Sequence, residues 1–252
     1  MEFDNLTVSF GHGAATRTVL DAVSVGVPER RTVGLVGESG SGKSTLAKAA
    51  LGLVRATGGT VRLDGRDLAA LRRGHAAAVR RSVQLISQDP YASLDPRLTI
   101  GRSIAEAIDP VRADVRKHSS AVARWLETVA LDPSAAGRLP HEFSGGQRQR
   151  IAIARALAAE PAMVIADEIT SALDASVQAE VLNLLAALRD RLGLTMLFIS
   201  HDLAVVRHVC DEVVVLRHGS VIEQGPTRDI YERPSHPYTR TLLASAALTA
   251  HQ

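Results

Sequence analysis

Residues 37–45 read GESGSGKST, and this stretch decides the fold of the 252-residue chain. It matches G-x-x-x-x-G-K-[ST], the pattern of a phosphate-binding loop that follows a strand and opens a helix. The continuous apolar run TVGLVG (32–37) precedes it, as expected of a strand covered on both faces, and the helical pattern KSTLAKAALGLV (43–54) follows. A glycine-rich turn with an incidental lysine is the alternative, but the complete pattern in this context favours nucleotide binding.

The residues of this loop predict specific contacts with a nucleotide. Glycines allow backbone N–H groups to converge on phosphates, and the helix N-terminus adds partial positive charge. We expect Lys43 to pair with the β- and γ-phosphates and the Ser44 hydroxyl to ligate Mg²⁺. The predicted nucleotide-binding residues of the loop are Gly37, Ser39, Gly40, Gly42, Lys43, Ser44 and Thr45.

Strand patterns alternate with helical patterns on both sides of the loop. LTVSF (6–10) and VLDAVSVGV (19–27) have the alternation of an antiparallel pair. Further buried strands are predicted at SVQLIS (82–87), AMVIAD (162–167) and TMLFIS (195–200). The order predicts an α/β fold with a mostly parallel core sheet, an N-terminal antiparallel β-subdomain and an inserted helical subdomain.

One domain is predicted to span residues 1–252. Its catalytic core, with the antiparallel β-subdomain, is expected at about 1–99 and 160–225. The helical subdomain is expected at about 100–159, because the pattern is helical with few strand signals from about Ile100 to Ala130 and a further helix follows FSGGQ to about Ala159. A C-terminal helical extension is expected at about 226–252.

Two carboxylates end the apolar strand MVIADE (163–168). Since the carboxyl ends of parallel strands share one edge of a sheet, Asp167 and Glu168 are expected to face the phosphate loop. Asp167 can then support Mg²⁺, directly or through water, and Glu168 can polarise the water that attacks the γ-phosphate. A solvated acidic strand end is the alternative for an isolated pair of this kind.

Two more polar residues follow predicted strands. Gln88 follows SVQLIS and can sense the nucleotide through Mg²⁺ or the attacking water, and His201 follows TMLFIS and can donate to the γ-phosphate. Either residue alone would more often be an ordinary loop residue. Together with residues 37 and 167 they predict one polar sheet edge.

A second glycine-containing segment, FSGGQ (143–147), has no lysine in the phosphate-binding register. The helix that follows begins with N–H groups that have no intrahelical partners. Ser144 can cap this helix, and the same donors can bind a phosphate, so both interpretations are compatible. The segment is better suited to complete a phosphate site formed mainly by other residues than to bind a phosphate alone.

Composition excludes several other classes. Aromatic residues make up 3% of the chain and the formal net charge is +2, which does not suggest binding to nucleic acid or to an acidic membrane. The single cysteine, Cys210, lies in an apolar segment and is expected to be a buried structural thiol. No run reaches the roughly 18 apolar residues of a membrane span, and the N-terminus lacks a secretion-signal pattern.

With these motifs in order, the chain resembles the ATP-binding cassette (ABC) ATPases over nearly its whole length. GESGSGKST looks like Walker A, Gln88 the Q-loop, FSGGQ the signature, MVIADE Walker B with its catalytic glutamate, SALD (171–174) the D-loop and His201 the switch histidine. The resemblance implies binding and hydrolysis of ATP with Mg²⁺, with Glu168, His201 and Gln88 as catalytic residues and Ser44, Gln88 and Asp167 as metal ligands.

In this family two ATPase domains meet head to tail, and each ATP lies between the Walker A of one and the signature of the other. The resemblance therefore adds Ser144, Gly145, Gly146, Gln147 and Asp174 to the nucleotide-binding residues. Phe10 occupies the position of an aromatic residue that stacks on adenine. A core strand phenylalanine is an equally good interpretation of Phe10.

Two segments resemble the ATPase subunits of oligopeptide, dipeptide and nickel importers. These are QDPYASLDP (88–96) and HPYT (236–239) before a leucine-rich helix. The resemblance implies a second ATPase subunit, identical or paralogous, membrane permease subunits, and an extracytoplasmic solute-binding protein. It places the chain on the cytoplasmic face of the membrane, held by the permeases, with peptides as the leading solute and nickel or a chelated metal as the alternative.

The sequence departs from the family where Ile169 follows the catalytic glutamate in place of the usual proline. Proline would bias Glu168 toward an extended backbone, and β-branched isoleucine is expected to keep that conformation. Active hydrolysis is therefore predicted over a binding-only, degenerate cassette. A soluble ATPase acting on DNA or ribosomes is disfavoured, because no heptad run, CxxC pair or second cassette is present.

Overall fold

The computed structural model describes residues 1–11, 13–71, 81–89, 93–171 and 173–249, which form parts of two compact units. The first unit comprises residues 1–83 and 194–252, and the second comprises residues 84–193. Residues 90–92 of QDPYASLDP and Ala172 of SALD lie outside the described residues. The predicted boundaries near residues 100, 160 and 226 stay predictions.

An antiparallel sheet forms the N-terminal part of the first unit. Its strands are β1 (Glu2–Phe10), β2 (Arg17–Gly26), β4 (Gly58–Leu63) and β5 (Arg66–Asp67), in the order β2-β1-β4-β5. On β1, Phe3, Leu6 and Val8 are buried while most of the residues between them face solvent. This pattern of one buried face confirms the predicted antiparallel β-subdomain.

A mostly parallel set of strands forms the core of the first unit. It comprises β3 (Thr32–Val36), β8 (Met196–Ile199), β9 (Glu212–Arg217) and β10 (Ser220–Pro226). Strand β3 pairs in parallel with β8 on one side and β9 on the other, and β10 returns antiparallel to β9. All five residues of β3 are buried, as its continuous apolar pattern predicts.

The helices of the first unit are α1 (Lys43–Ala50), α6 (Leu203–Val209), α7 (Thr227–Glu232) and α8 (Pro237–Thr249). Helix α6 lies against β3 at Gly34, where an added Cβ would meet Val206 Cγ1 at 2.7 Å and Cys210 Sγ at 2.9 Å. Cys210 is 8% exposed, which confirms the predicted buried thiol.

Helix α1 is shorter than its sequence pattern predicts. The prediction extended it to Val54, whereas it ends at Ala50. Gly52 has φ +65°, and the Leu53 N–H donates to the Lys48 carbonyl, which is the arrangement of a Schellman helix end. Glycine at this position stops the helix although the apolar period continues beyond it.

The second unit is mainly helical. Its helices are α2 (Ile100–Ile108), α3 (Ser119–Thr128), α4 (Gly145–Ala158) and α5 (Ala175–Leu192), and its strands are β6 (Val83–Ile86) and β7 (Met163–Asp167), which are neighbours. Helix α4 contacts the other three helices and is buried on most sides. The predicted helical character after Ile100 is confirmed.

Among the described residues, no helix combines the length and the apolar character needed to cross a membrane.

Candidate nucleotide-binding site

The phosphate loop between β3 and α1 depends on backbone conformations that only glycine adopts easily. Gly37, Gly40 and Gly42 have φ of 151°, 79° and 110°. A Cβ on Gly37 would lie 2.1 Å from the Leu216 carbonyl oxygen, and one on Gly42 would lie 2.6 Å from Leu20 Cδ2. Glycine is therefore required at both ends of the loop by conformation and by close packing.

The Lys43 side chain connects the start of the helix to the first residues of the loop. Its side chain is buried, and Nζ donates to the carbonyl oxygens of Gly37 at 2.8 Å and Glu38 at 2.9 Å. The ammonium group is thus held over the turn formed by residues 37–42. A cation in this position adds charge to the backbone donors of the loop.

Helix α1 begins immediately after the loop with no acidic residue in its first turn. Its positive end is therefore not neutralised by a local carboxylate. Ser44 is exposed and Thr45 is half-buried at this end. The predicted residues from Gly37 to Thr45 thus form one continuous loop and helix start, at which the Ser44 hydroxyl is accessible to a ligand.

In the first unit, Gly37 and His201 follow adjacent parallel strands. Leu35 of β3 pairs with Ile199 of β8, so both strands end at the same edge. His201 is exposed, and the neighbouring Asp202 accepts from the Ala204 and Val205 amides to cap α6. The structure brings these two predicted residues to one sheet edge.

In the second unit, Gln88 follows β6 and Asp167 is the last residue of the neighbouring strand β7. Gln88 is exposed, and Asp167 and Glu168 are half-buried. Oxygen donors that remain accessible in this way suit a hard cation such as Mg²⁺. The convergence of all four strand ends on one nucleotide stays a prediction.

The backbone of Glu168 differs from the expected extended conformation. Its φ is +49°, and its carbonyl oxygen accepts from the Ser171 N–H at 3.2 Å and from Ser171 Oγ at 3.0 Å. The expectation based on Ile169 was wrong, because this turn and the burial of Ile169 determine the conformation. A left-handed non-glycine residue costs about 1–3 kcal/mol, which the fold must offset.

The segment FSGGQ begins α4 with a reciprocal capping box. Gln147 N–H donates to Ser144 Oγ at 3.3 Å, and Ser144 N–H donates to Gln147 Oε1 at 3.0 Å. Ser144 and Gln147 are both exposed. The predicted helix-capping role of Ser144 is confirmed, and the hydroxyl stands where it can also meet a ligand.

Gly146 has a packing role that the sequence does not reveal. An added Cβ would lie 2.3 Å from Val177 Cγ1 on α5. Gly145, by contrast, has only Leu173 Cδ2 at 3.5 Å from such a Cβ. The second glycine of the signature therefore allows α4 and α5 to approach each other closely.

We expect Gly146→Ala to lower the free energy of unfolding by about 1–3 kcal/mol, because the methyl group overpacks this contact. Val177→Ala in the same chain should restore most of that stability, as measured by denaturant unfolding. A double variant that regains stability but not ATP hydrolysis would show that Gly146 also serves the nucleotide. Failure of Val177→Ala to restore stability would contradict the packing role.

Asp174 and Phe10, two of the residues predicted to contact the nucleotide, lie in different environments. Asp174 caps α5, where its Oδ1 accepts from the Val177 N–H at 3.0 Å, so a nucleotide contact remains a prediction. Phe10 ends β1 with 47% of its surface exposed, so the alternative interpretation as a core phenylalanine is wrong. It lines a surface depression with Leu53 and Arg55.

Sequence reasoning assigned no role to Arg148, although it lies inside FSGGQRQR. The side chain is 6% exposed, and its guanidinium donates to the carbonyl oxygens of Pro140 at 2.7 Å and His141 at 3.3 Å. Arg148 thus fixes the segment that leads into the signature. No local pattern signals this contact, since arginine on a helix is usually exposed.

Comparisons with known proteins identify the family. The family model described as ABC transporter matches residues 20–171, and one described as oligopeptide/dipeptide transporter, C-terminal region, matches residues 222–250. A putative peptide import ATP-binding protein of Brucella ovis is 51% identical over 233 residues, covering 92% of this chain and 74% of the relative. The oligopeptide transport ATP-binding protein OppF of Salmonella typhimurium is 47% identical, covering 92% and 70%.

The fold also resembles a solved cassette. The dimeric ATP-binding cassette MJ0796, in a post-hydrolysis state bound to ADP and Pi, is 29% identical with a TM-score of 0.77, covering 90% of this chain and 98% of that one. The chain belongs to the ABC transporter family. The predicted α/β fold of an ABC-type ATPase and the resemblance to the oligopeptide and dipeptide group are confirmed.

Proposed function

We propose that this chain is the ATP-hydrolysing subunit of an importer for oligopeptides or dipeptides. The observation that carries the proposal is the match of residues 222–250 to the C-terminal region of oligopeptide and dipeptide transporters. The peptide-import names of relatives at about half identity support it. In this proposal membrane permeases hold the chain at the cytoplasmic face, and a solute-binding protein delivers the peptide.

In the proposed reaction, the loop amides and Lys43 bind the β- and γ-phosphates of ATP. Glu168 orients and deprotonates the attacking water, and His201 donates a hydrogen bond to the γ-phosphate. Ser44, Asp167 and Gln88 would hold Mg²⁺, for which their oxygen donors fit, and the ion would neutralise phosphate charge. Phe10 offers an exposed ring for stacking on adenine.

A second ATPase subunit completes the proposed site. Ser144 and the amides of Gly145 and Gly146 lie at the N-terminus of a 14-residue helix, which suits a phosphate held mainly by another subunit. ATP binding would then close two subunits, and hydrolysis with phosphate release would let them separate. The MJ0796 cassette, which forms a dimer, supports this arrangement.

The proposal is tested by reconstituting this chain in lipid vesicles with the permease subunits that co-purify with it and a peptide-binding protein. Di- to pentapeptides should stimulate ATP hydrolysis and accumulate inside the vesicles. A chelated nickel complex serves as the comparison solute. Stimulation by nickel alone, or co-purification with ribosomes or DNA in place of permeases, would contradict the peptide assignment.

A further inference from the structure

Three features of the first unit meet at the phosphate loop: the loop itself, the turn between β9 and β10, and the start of α8. Ser41 of the loop accepts a hydrogen bond from the Gly219 N–H at 3.0 Å. The Glu38 N–H donates to the hydroxyl of Tyr238, the second residue of α8, at 3.3 Å. Two hydrogen bonds thus connect the loop to residues that lie about 180 to 200 positions further along the sequence.

Tyr238 is well fixed for this contact. It is 7% exposed, and its ring lies against the guanidinium of Arg217, 4.6 Å from Cζ to the ring centroid. Burial raises the pKa of the Tyr238 phenol, so the group stays neutral at physiological pH and keeps its hydrogen-bonding capacity. Its hydroxyl therefore offers the loop a stationary acceptor.

Glu223 on β10 anchors the segment that carries Tyr238. Its carboxylate accepts from the Ser235 N–H at 2.7 Å, Ser235 Oγ at 2.8 Å and the His236 N–H at 3.1 Å. His236 Nδ1 in turn accepts from the Tyr238 N–H at 3.1 Å. A chain of hydrogen bonds therefore runs from β10 through residues 235–238 to the phosphate loop.

The charge of this anchor does not change near neutral pH. Partial burial favours the protonated acid, but the hydrogen bonds from residues 235–239 outweigh it and hold the pKa of Glu223 at about 2. Because this pKa is lowered, the stabilisation is present above the ordinary value near 4.5 and is lost only as the pH falls toward 2.

We infer that Tyr238 is a positioning residue for the phosphate loop, and that the C-terminal segment 234–239 fixes the loop in the shape that binds nucleotide. Lys43 holds the Gly37 and Glu38 carbonyls from inside the loop, and Tyr238 holds the Glu38 amide from outside. When Lys43 turns toward a phosphate, its hold on these carbonyls weakens. The Tyr238 hydroxyl then limits how far the Glu38 end of the loop moves.

This inference rests on the proposed role of residues 37–45 in phosphate binding. It assigns the C-terminal region a structural role, which is to position the phosphate loop. The match of residues 222–250 includes both the anchor Glu223 and Tyr238. A change in the position of α8 would reach the phosphate loop through one side chain. Tyr238 itself takes no part in the chemistry.

The test compares Tyr238→Phe with Tyr231→Phe in the full chain. Tyr231 is half-buried in the same unit, and its hydroxyl donates to the Leu203 carbonyl, so the control also removes one hydrogen bond. We expect Tyr238→Phe to raise the Kd for a fluorescent ADP analogue about 3- to 10-fold, the factor that one neutral hydrogen bond supplies. Tyr231→Phe should change it less than about twofold.

Hydrogen exchange at the Glu38 amide reports local opening of the loop, and exchange at other amides of the same unit shows any general destabilisation. The exchange rate should rise in Tyr238→Phe and stay at the wild-type value in Tyr231→Phe. Unchanged affinity and exchange in Tyr238→Phe, or equal changes in both variants, would overturn the inference. If Tyr238→Phe does not fold, Glu223→Ala tests the same connection without touching the loop, and wild-type exchange at Glu38 would then overturn it.

Lys43→Ala separates this inference from the underlying assignment. If Lys43→Ala loses nucleotide binding while Tyr238→Phe keeps wild-type affinity, only the positioning role is wrong. If Lys43→Ala binds the nucleotide as the wild type does, residues 37–45 are not the site, and the inference falls with the assignment.

Discussion

Glu168→Gln is expected to bind ATP like the wild type and to hydrolyse it about 10²- to 10⁴-fold more slowly. The substitution preserves the size of the side chain but replaces the carboxylate that accepts a proton from the attacking water. The turn is retained, because the Ser171 N–H and hydroxyl donate to the backbone carbonyl of Glu168 and not to its side chain. Steady-state ATPase assays and ATP-binding titrations measure the two effects separately.

Glu160→Gln is the matched control for this change. Glu160 has φ +49°, the same value as Glu168, and follows α4 outside the proposed site. It should keep hydrolysis within about twofold of the wild type, since the same substitution in the same backbone conformation touches no nucleotide. Wild-type turnover in Glu168→Gln would show that another group activates the water.

Glu168→Gln is also expected to accumulate as a dimer in the presence of ATP, because binding drives closure and hydrolysis permits separation. Size-exclusion chromatography with ATP and with ADP measures this directly. A monomer in both nucleotides, with ATP bound, would indicate that closure needs the permeases as well.

The phosphate loop could be predicted from sequence because its backbone requirements are local. Gly37 and Gly42 are needed by their own positive φ angles, and the flanking strand and helix show clear apolar patterns. The capping box at Ser144 and Gln147 is equally local, because both partners lie within four residues. Features whose partners are close in sequence can be predicted from the local pattern of residues.

The features that sequence reasoning missed depend on distant contacts or on turns. Tyr238 meets Glu38 across 200 residues, and Val177 makes Gly146 necessary from another helix. The conformation of Glu168 follows from a turn closed by Ser171, which outweighed the extended preference expected beside Ile169. Side-chain propensity gives the wrong answer where the surrounding structure determines the backbone.

Ser144→Arg is expected to leave nucleotide binding by the isolated subunit unchanged and to reduce ATP-driven dimerisation and hydrolysis at least about 100-fold. Ser144 is exposed at the start of α4, where the proposed partner nucleotide must approach closely. An arginine there fills the space reserved for the γ-phosphate of the partner subunit's nucleotide. The same subunit's own phosphate loop keeps all its residues, so monomer affinity should not change.

Two controls separate this effect from loss of the helix cap. Ser144→Ala removes the hydroxyl that accepts from Gln147 and should cost about 1 kcal/mol of stability without adding bulk. Ser119→Arg places the same side chain at the exposed start of α3 in the same unit and should leave dimerisation intact. If Ser144→Arg abolished nucleotide binding in the monomer, the signature would belong to the subunit's own site, and the shared arrangement would be wrong.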